Sequence, residues 1–173
     1  TKTDSSSSKS VKNDRTRFIS STANLNLATA SQAEYESYKL VEPLDKNLKI
    51  KKAAMLKSVN YYGQASQYGI SEIVTQSTYS IAKIYGDFSK ALLNSERPKK
   101  LNAEELEQYQ ILLEDQAFPF EEKSIEFYET NISRVKEGIY TDWIKQSHTK
   151  LKELFPARYN REAKVDGYIN VYQ

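Results

Sequence analysis

The feature that most constrains the fold is a shortage of turn-forming residues between long periodic segments. The 173 residues include only 5 Gly and 4 Pro, too few for the many tight turns of a β-sandwich or barrel. Apolar residues instead recur every three to four positions over long stretches, which is the period of an α-helix with one buried face. The sequence therefore predicts an all-α domain built from antiparallel helical hairpins.

Two central segments carry the clearest helical pattern. The first runs from about Asp45 to Tyr68 and ends at Gly69, and the second runs from Ser71 to about Asn94. The short joint between them predicts antiparallel neighbours. The apolar stripe predicted on the first helix consists of Leu48, Ala53, Leu56, Val59, Tyr62 and Ala65. The stripe predicted on the second consists of Ile73, Ser77, Ile81, Ile84, Phe88 and Leu92.

A longer periodic segment follows, from Leu106 to about Lys136. Pro119 lies inside it and should kink or break the helix near Ala117 or Phe118, because proline cannot donate a backbone hydrogen bond. Gly138 is placed to close this element. The sequence thus predicts a long helix with a proline kink.

Capping residues set the other helix boundaries. Ser31 followed by Glu34 has the form of a capping box, which predicts a first helix from Ser31 to about Val41. Asn102 is placed to cap the long helix, whose first turns are rich in glutamate, as the helix dipole favours. A last helix is predicted to start at Thr141 or Asp142 and to stop at Pro156.

Composition divides the chain into three parts. Residues 1–22 are Ser-rich and basic with few large apolar side chains, so we expect a disordered segment, a linker or the remnant of a longer preceding region. Residues 23–156 form the predicted helical domain. Residues 157–173 form a tail that could pack as an extended strand or belong to a longer parent chain.

The sequence offers little for catalysis or cofactor binding. Cysteine is absent and His148 is the only histidine, and no metal-ligand spacing or phosphate loop occurs. We therefore predict no catalytic residues, no metal and no cofactor. Glu121 and Glu122 could act as paired carboxylates of a cell-wall glycan hydrolase, but acidic residues are favoured near helix starts for electrostatic reasons alone. That alternative stays open.

Charge is distributed unevenly along the chain. Residues 1–100 contain 16 Lys and Arg against 9 Asp and Glu, a net charge of +7, whereas residues 101–155 contain 6 against 12, a net charge of −6. Such halves suggest self-docking or head-to-tail contacts, or simply solvated helix faces. With a sequence pI of about 8.5 and no recognisable motif, we expect no nucleic-acid partner. No apolar run is long enough to cross a bilayer.

Aromatic side chains are the residues that say most about possible binding surfaces. The 13 tyrosines exceed what one core can hold, and exposed tyrosine is typical of protein interfaces. We expect partner contacts near the Pro119 kink and on Tyr-rich faces. The candidate partner-binding residues are Tyr61, Tyr62, Phe118, Phe120, Glu121, Glu122 and Trp143.

Several longer phrases resemble a known family. They are YSIAKIYGDFSKALLNSERP at 79–98, EDQAFPFEEKSIEFYETN at 114–131 and GIYTDWIKQSHTKLKELFPARY at 138–159. Together with the segment from Tyr38 onward, they resemble the C-terminal region of large tetratricopeptide-repeat-containing proteins of proteobacteria. The resemblance covers about Tyr38 to Tyr159, and Phe118-Pro119-Phe120-Glu121-Glu122-Lys123 is its most specific part.

This resemblance implies a short α-solenoid that acts as a periplasmic scaffold or adaptor, without enzymatic activity, in a bacterial cell-envelope complex. Family members are associated with TonB/ExbB/ExbD-type energy coupling and with gliding-type motility. The implied partners are other envelope proteins, with a homo-oligomer as an alternative and the cytoplasm as an alternative location. The sequence departs from the repeat consensus at Pro98, which comes late, and around 143–156. Degenerate repeats or a capping unit are therefore expected.

Overall fold

The computed structural model describes residues 13–160, and every regular element within them is helical. The helices are α1 (Asp14–Ser37), α2 (Leu44–Ser66), α3 (Ser71–Leu93), α4 (Ala103–Ser133), α5 (Asp142–Leu154) and the short α6 (Pro156–Tyr159), with a 3₁₀ turn at Arg134–Glu137. No strand occurs in this range, which confirms the all-α prediction. The repeat-like solenoid arrangement stays a prediction.

Helix α1 begins inside the segment that was expected to be disordered. The Asn13 side chain accepts from the Thr16 amide, and the Thr16 hydroxyl accepts from the Asn13 amide, both at 2.9 Å. The expectation of disorder is therefore wrong from residue 13 onward, and residues 1–12 lie outside the described range. Ser31, predicted to cap the first helix, is instead buried in the middle of α1.

The reason for this error is the character of the buried face of α1. Most of its members are small and polar, and they are Ser20, Ser21, Asn24, Ala28, Ser31 and Tyr35. The hydroxyl of Ser21 donates to the Phe18 carbonyl of its own helix, and that of Ser31 lies 3.0 Å from the Ser58 hydroxyl of α2. Because these hydroxyls find partners, the face can be buried without large apolar residues.

Helices α1 and α2 pack in antiparallel orientation. Gln32 accepts a hydrogen bond of 2.6 Å from the Tyr62 hydroxyl, whereas further along α1 the Tyr38 carbonyl accepts one of 2.7 Å from Lys51. The residue numbers of the contacting positions therefore increase along α1 while they decrease along α2.

The buried face of α2 is rotated from the predicted stripe. It consists of Lys51, Ala54, Met55, Ser58, Tyr62 and Ala65, so Tyr62 and Ala65 are confirmed, whereas Ala53 and Leu56 are exposed. The buried Lys51 amine donates to the Tyr35 and Tyr38 carbonyls at the end of α1, and its desolvation lowers the pKa of Lys51. Hydrogen bonding to a helix end thus permits an amine where an apolar residue was expected.

Helix α3 lies at the centre of the molecule and contacts α1, α2, α4 and α5. All six residues of its predicted stripe are buried, which confirms this element. The main core cluster joins α1 to α4 through residues that include Tyr35, Met55, Ile84 and Phe88. A smaller cluster joins α3, α4 and α5.

Helix α4 continues across Pro119 without a break, so the alternative that proline ends the helix is wrong. Proline cannot donate to the carbonyl of Asp115, but both residues are exposed and water can take the place of the missing donor. On the opposite side, Ala117 is buried and Phe120 packs on the ring of Phe88, with ring centroids 4.6 Å apart. Packing of this face favours a continuous helix.

Apart from those of the first helix, the predicted helix ends agree closely with the structure. Asn102 and Glu105 form a capping box at the start of α4, and Thr141 accepts from the Ile144 amide at the start of α5. Gly69 and Gly138 have φ values of 71° and 78°, the left-handed conformation that glycine adopts without strain. The predicted tail 157–173 begins inside α6, and its residues 161–173 lie outside the described range.

Candidate protein-docking site

A buried polar network attaches α5 to the rest of the domain. The Asn131 side-chain amide donates to the Thr75 carbonyl at 3.1 Å and to the Ser147 hydroxyl at 2.8 Å, and its oxygen accepts from Arg134 at 3.2 Å. The Thr141 hydroxyl donates to the Thr75 hydroxyl at 2.9 Å. Asn131 has no exposed surface. The network therefore determines how α5 sits against α3 and α4.

An apolar cleft lies where α4 passes through the 3₁₀ turn into α5. We call it the α4–α5 cleft, and its volume is about 450 Å³. Its lining consists of Ile132, Val135, Lys136, Tyr140, Thr141, Ile144, Lys145 and His148. The positive φ of Gly138 turns the chain so that the end of α4 and the start of α5 face the same space.

The apolar residues of the α4–α5 cleft differ in exposure. Ile144 is 5 % exposed and forms the floor, whereas Val135 is 37 % and Tyr140 is 75 % exposed. The sequence placed Val135 at the end of the predicted long helix without marking it as a binding residue, and it missed Tyr140 because the loop around that residue shows no helical period. The available signal was an apolar pair, Ile139 and Tyr140, directly after a helix-ending glycine.

Nitrogen-bearing side chains form the polar part of the same lining. They are Lys136, Lys145 and His148, and no carboxylate is among the lining residues of this cleft. Lys145 lies 2.9 Å from Asp142, whose hydrogen bond raises the pKa of Lys145 and keeps the amine charged. This ion pair is largely solvated, so the amine remains accessible to another anionic group.

Three of the predicted partner-binding residues belong mainly to the interior. Tyr62 is 2 % exposed, so its prediction as a partner contact is wrong: burial of the ring in the core outweighs its interface propensity. Phe120 packs on the rings of Phe88 and Tyr85. Trp143 is half-buried, with its ring 5.4 Å from that of Tyr79.

The other predicted residues lie elsewhere on the surface. Phe118 is 56 % exposed, Glu121 and Glu122 are also exposed on α4, and Tyr61 is half-buried on α2. None of the seven predicted residues lines the α4–α5 cleft. The partner-binding role of this second group stays a prediction.

A second cavity of about 310 Å³ lies between α3, α4 and α5. Lys83, Lys150 and Glu121 are among its lining residues. Lys83 lies 2.7 Å from Asp87, and Lys150 lies 2.7 Å from Glu153. Amines and carboxylates both line this cavity, so it presents no single sign of charge, unlike the α4–α5 cleft.

Two further features concern the range 13–160. No group of three or more His, Asp or Glu side chains is arranged there to hold a metal ion. His148 is exposed and makes an edge contact with the Tyr159 ring. Within the same range, none of the helices combines the length and apolar character needed to cross a membrane.

Comparison with protein-family models, with curated proteins and with solved structures gives no match to this chain. The family resemblance described above therefore stays a prediction.

Proposed function

We propose that this protein binds other proteins rather than catalysing a reaction, and that the α4–α5 cleft is its docking site. The occupant that fits is a peptide segment with apolar side chains and at least one carboxylate. The observation that carries this proposal is a concave apolar surface, open to solvent, with only basic groups among its charged lining residues.

The apolar part of the argument concerns Val135 and Tyr140. Both expose a substantial part of their side chains beside the buried Ile144, so an entering apolar side chain would displace water from all three. Aromatic residues at the centre of such a surface often dominate binding free energy. Tyr140 is therefore the expected anchor.

The electrostatic part of the argument concerns Lys136 and Lys145. Both amines belong to the lining, and a carboxylate of the bound segment would meet them at the edge of an apolar surface. Charge pairs there contribute more than fully solvated pairs, because water is partly excluded. A basic segment would be repelled, which makes the site selective for acidic partners.

We further propose that the setting is the bacterial cell envelope, with the protein acting as a scaffold or adaptor in a periplasmic complex. The support is the resemblance of 38–159 to proteobacterial repeat proteins. Crosslinking followed by affinity capture from native envelopes tests the setting. Recovery of envelope proteins is expected, and recovery of cytosolic proteins alone would contradict it.

Selection from a displayed library of random peptides tests the docking site directly. We expect enrichment of peptides that combine apolar residues with Asp or Glu. Tyr140→Ala should weaken the binding of a selected peptide at least about tenfold, as loss of an interface anchor does. Phe18→Ala is the matched control, because Phe18 is a 57 % exposed aromatic residue on α1 and should leave binding unchanged.

Any of three results would overturn the docking proposal. The first is selection of peptides that bind the Tyr140→Ala variant as tightly as the original protein. The second is a preference for basic peptides. The third is an affinity that Lys136→Glu leaves unchanged, since the charge argument requires that this reversal weaken an acidic ligand.

A further inference from the structure

The outer face of α4 carries apolar and acidic side chains in alternation. Ile111, Asp115, Phe118 and Glu122 follow one another at intervals of four, three and four residues, so they lie in one row along the helix. Ile111 is 53 % exposed and Phe118 is 56 % exposed, and both carboxylates are exposed. We call these four residues the acidic strip.

The carboxylates of the acidic strip make no ion pair within the described part of the chain. Neither Asp115 nor Glu122 has a salt-bridge partner among residues 13–160, whereas seven other ion pairs occur there. The strip also lies opposite the buried side of α4, which includes Leu113 and Ala117. Two large apolar side chains and two carboxylates therefore remain available to another molecule.

The outer face of α2 has the complementary composition. Lys49, Lys52, Ala53 and Leu56 are all exposed, and Leu56 is 51 % exposed. We call these residues the basic strip. Lys49 has no salt-bridge partner within the described residues, and Lys52 has only the ring of Phe120, 5.8 Å from its amine.

We propose that two copies of this chain associate, the basic strip of one copy docking on the acidic strip of the other. A second copy is the occupant because each molecule presents both complementary surfaces. The formal net charge of the chain is only +2, so long-range repulsion between copies is small. This association is independent of the α4–α5 cleft and adds to the proposed function.

The spacing of side chains fits the contact of two packed helices. Ile111 and Phe118 are seven residues apart, which is about 10.5 Å along a helix axis, and this leaves room for Leu56 between them. At the usual interaxial distance of about 8–10 Å, the flexible side chains of Lys49 and Lys52 reach the neighbouring carboxylates.

The contact joins two different surfaces, so each copy can make it twice, once through its basic strip and once through its acidic strip. A symmetric dimer forms if the basic strip of each copy docks on the acidic strip of the other. An open chain of copies forms if the rotation that relates neighbouring copies does not close. The paired strips are small beside a standard interface. We therefore expect association that depends on concentration and weakens with salt.

Sedimentation velocity on the full chain tests this proposal. Association is expected to increase with protein concentration in low-salt buffer and to fall at least tenfold in about 1 M salt, where the Debye length is about 3 Å. Lys49→Glu with Lys52→Glu should make the protein monomeric, and so should Asp115→Lys with Glu122→Lys. Lys39→Glu with Lys100→Glu is the matched control, with the same charge change at two exposed positions outside both strips.

Mixing the two reversed variants gives the decisive result. The first variant has an acidic strip on both helices and the second a basic strip on both, so only the mixture contains complementary strips. We expect association in the mixture and none in either variant alone. A wild-type chain that stays monomeric at low salt, or a mixture that stays monomeric, would overturn the proposal.

The outcome is distinguishable from failure of the proposed docking function. Tyr140→Ala should weaken peptide binding in the α4–α5 cleft and leave self-association unchanged. If Tyr140→Ala instead dissociates the copies, the contact lies in the cleft and the pairing of the two strips is wrong.

Discussion

Replacing Asn131 by alanine should destabilise the protein through loss of the network that holds α5. The amide of Asn131 is fully buried and makes good hydrogen bonds to the Thr75 carbonyl and the Ser147 hydroxyl, and it accepts one from Arg134. The two neutral bonds contribute about 1 kcal/mol each, and the bond to the guanidinium about 1.5–3 kcal/mol. Arg134 keeps its bond to the Thr130 carbonyl, which reduces the last contribution.

The expected loss in free energy of unfolding is therefore about 3 kcal/mol, a large fraction of the 5–15 kcal/mol typical of a domain. Urea denaturation measures it, followed by far-ultraviolet circular dichroism for the whole molecule and by Trp143 fluorescence for α5. Trp143 is the only tryptophan and belongs to α5. Asn60→Ala is the control, because Asn60 is exposed in the middle of α2 and should not destabilise.

A double-mutant cycle tests how much of this loss comes from the hydrogen bond between Asn131 and Ser147. Ser147→Ala removes the acceptor of the shortest Asn131 bond, so the two substitutions together should cost less than the sum of their separate effects by about 1 kcal/mol. Because the network positions α5, Asn131→Ala should also weaken peptide binding in the α4–α5 cleft. A loss below about 1 kcal/mol, or strict additivity with Ser147→Ala, would refute the reasoning.

Three further predictions concern α3 and α4 and a matched site in α2. Pro119→Ala should raise the free energy of unfolding by about 1–2 kcal/mol, because it restores a backbone donor in a continuous helix; a lower stability in urea denaturation would contradict this. Gly86→Ala should be less favourable than an unhindered Gly→Ala change by about 1 kcal/mol, since its Cβ would lie 2.9 Å from the Ser124 hydroxyl oxygen, which must turn away. Gly63→Ala, with no atom within 4 Å of the new Cβ, should stabilise by about 0.5–1 kcal/mol. Thermal unfolding of the Gly63→Ala and Gly86→Ala variants compares the two positions, and equal effects would be inconsistent with the packing. Burial raises the pKa of Tyr128 above the usual range of tyrosine, so the folded state holds that proton to higher pH than the unfolded state. Stability should therefore fall as pH rises above about 10. Urea denaturation against pH should show a shallower fall for Tyr128→Phe.

The helix ends and the central helix could be predicted because local interactions decide them. Asn102 caps α4 through its own side chain, and Gly69 and Gly138 take a backbone conformation that other residues avoid. Helix α3 carries large apolar side chains every three to four residues from Ile81 to Leu92 on its buried face, although serine and threonine share that face. Its helical period could therefore be recognised without knowing its neighbours. These features depend on residues within about one or two turns of each other.

The N-terminal helix could not be predicted because its burial depends on its neighbours. Ser31 resembles a capping residue in sequence, yet it lies inside α1 beside Ser58. Lys51 resembles a surface residue, yet two carbonyls at the end of α1 bind its amine. A small hydroxyl or an amine is buried at low cost only where a partner is within hydrogen-bond distance, and that partner comes from another helix.

The sequence by itself determined that the chain is helical, where most of its helices end and which face of α3 is buried, because backbone conformation and apolar period are local properties. Only the tertiary structure decided that the Ser-rich segment around Ser21 belongs to the domain, that Tyr62 is a core residue and that Tyr140 borders an apolar cleft. Those outcomes depend on which helices meet and on the hydrogen-bond partners that each meeting supplies. The shortage of glycine and proline limits the chain to long helices, and the contacts between those helices create its candidate surfaces.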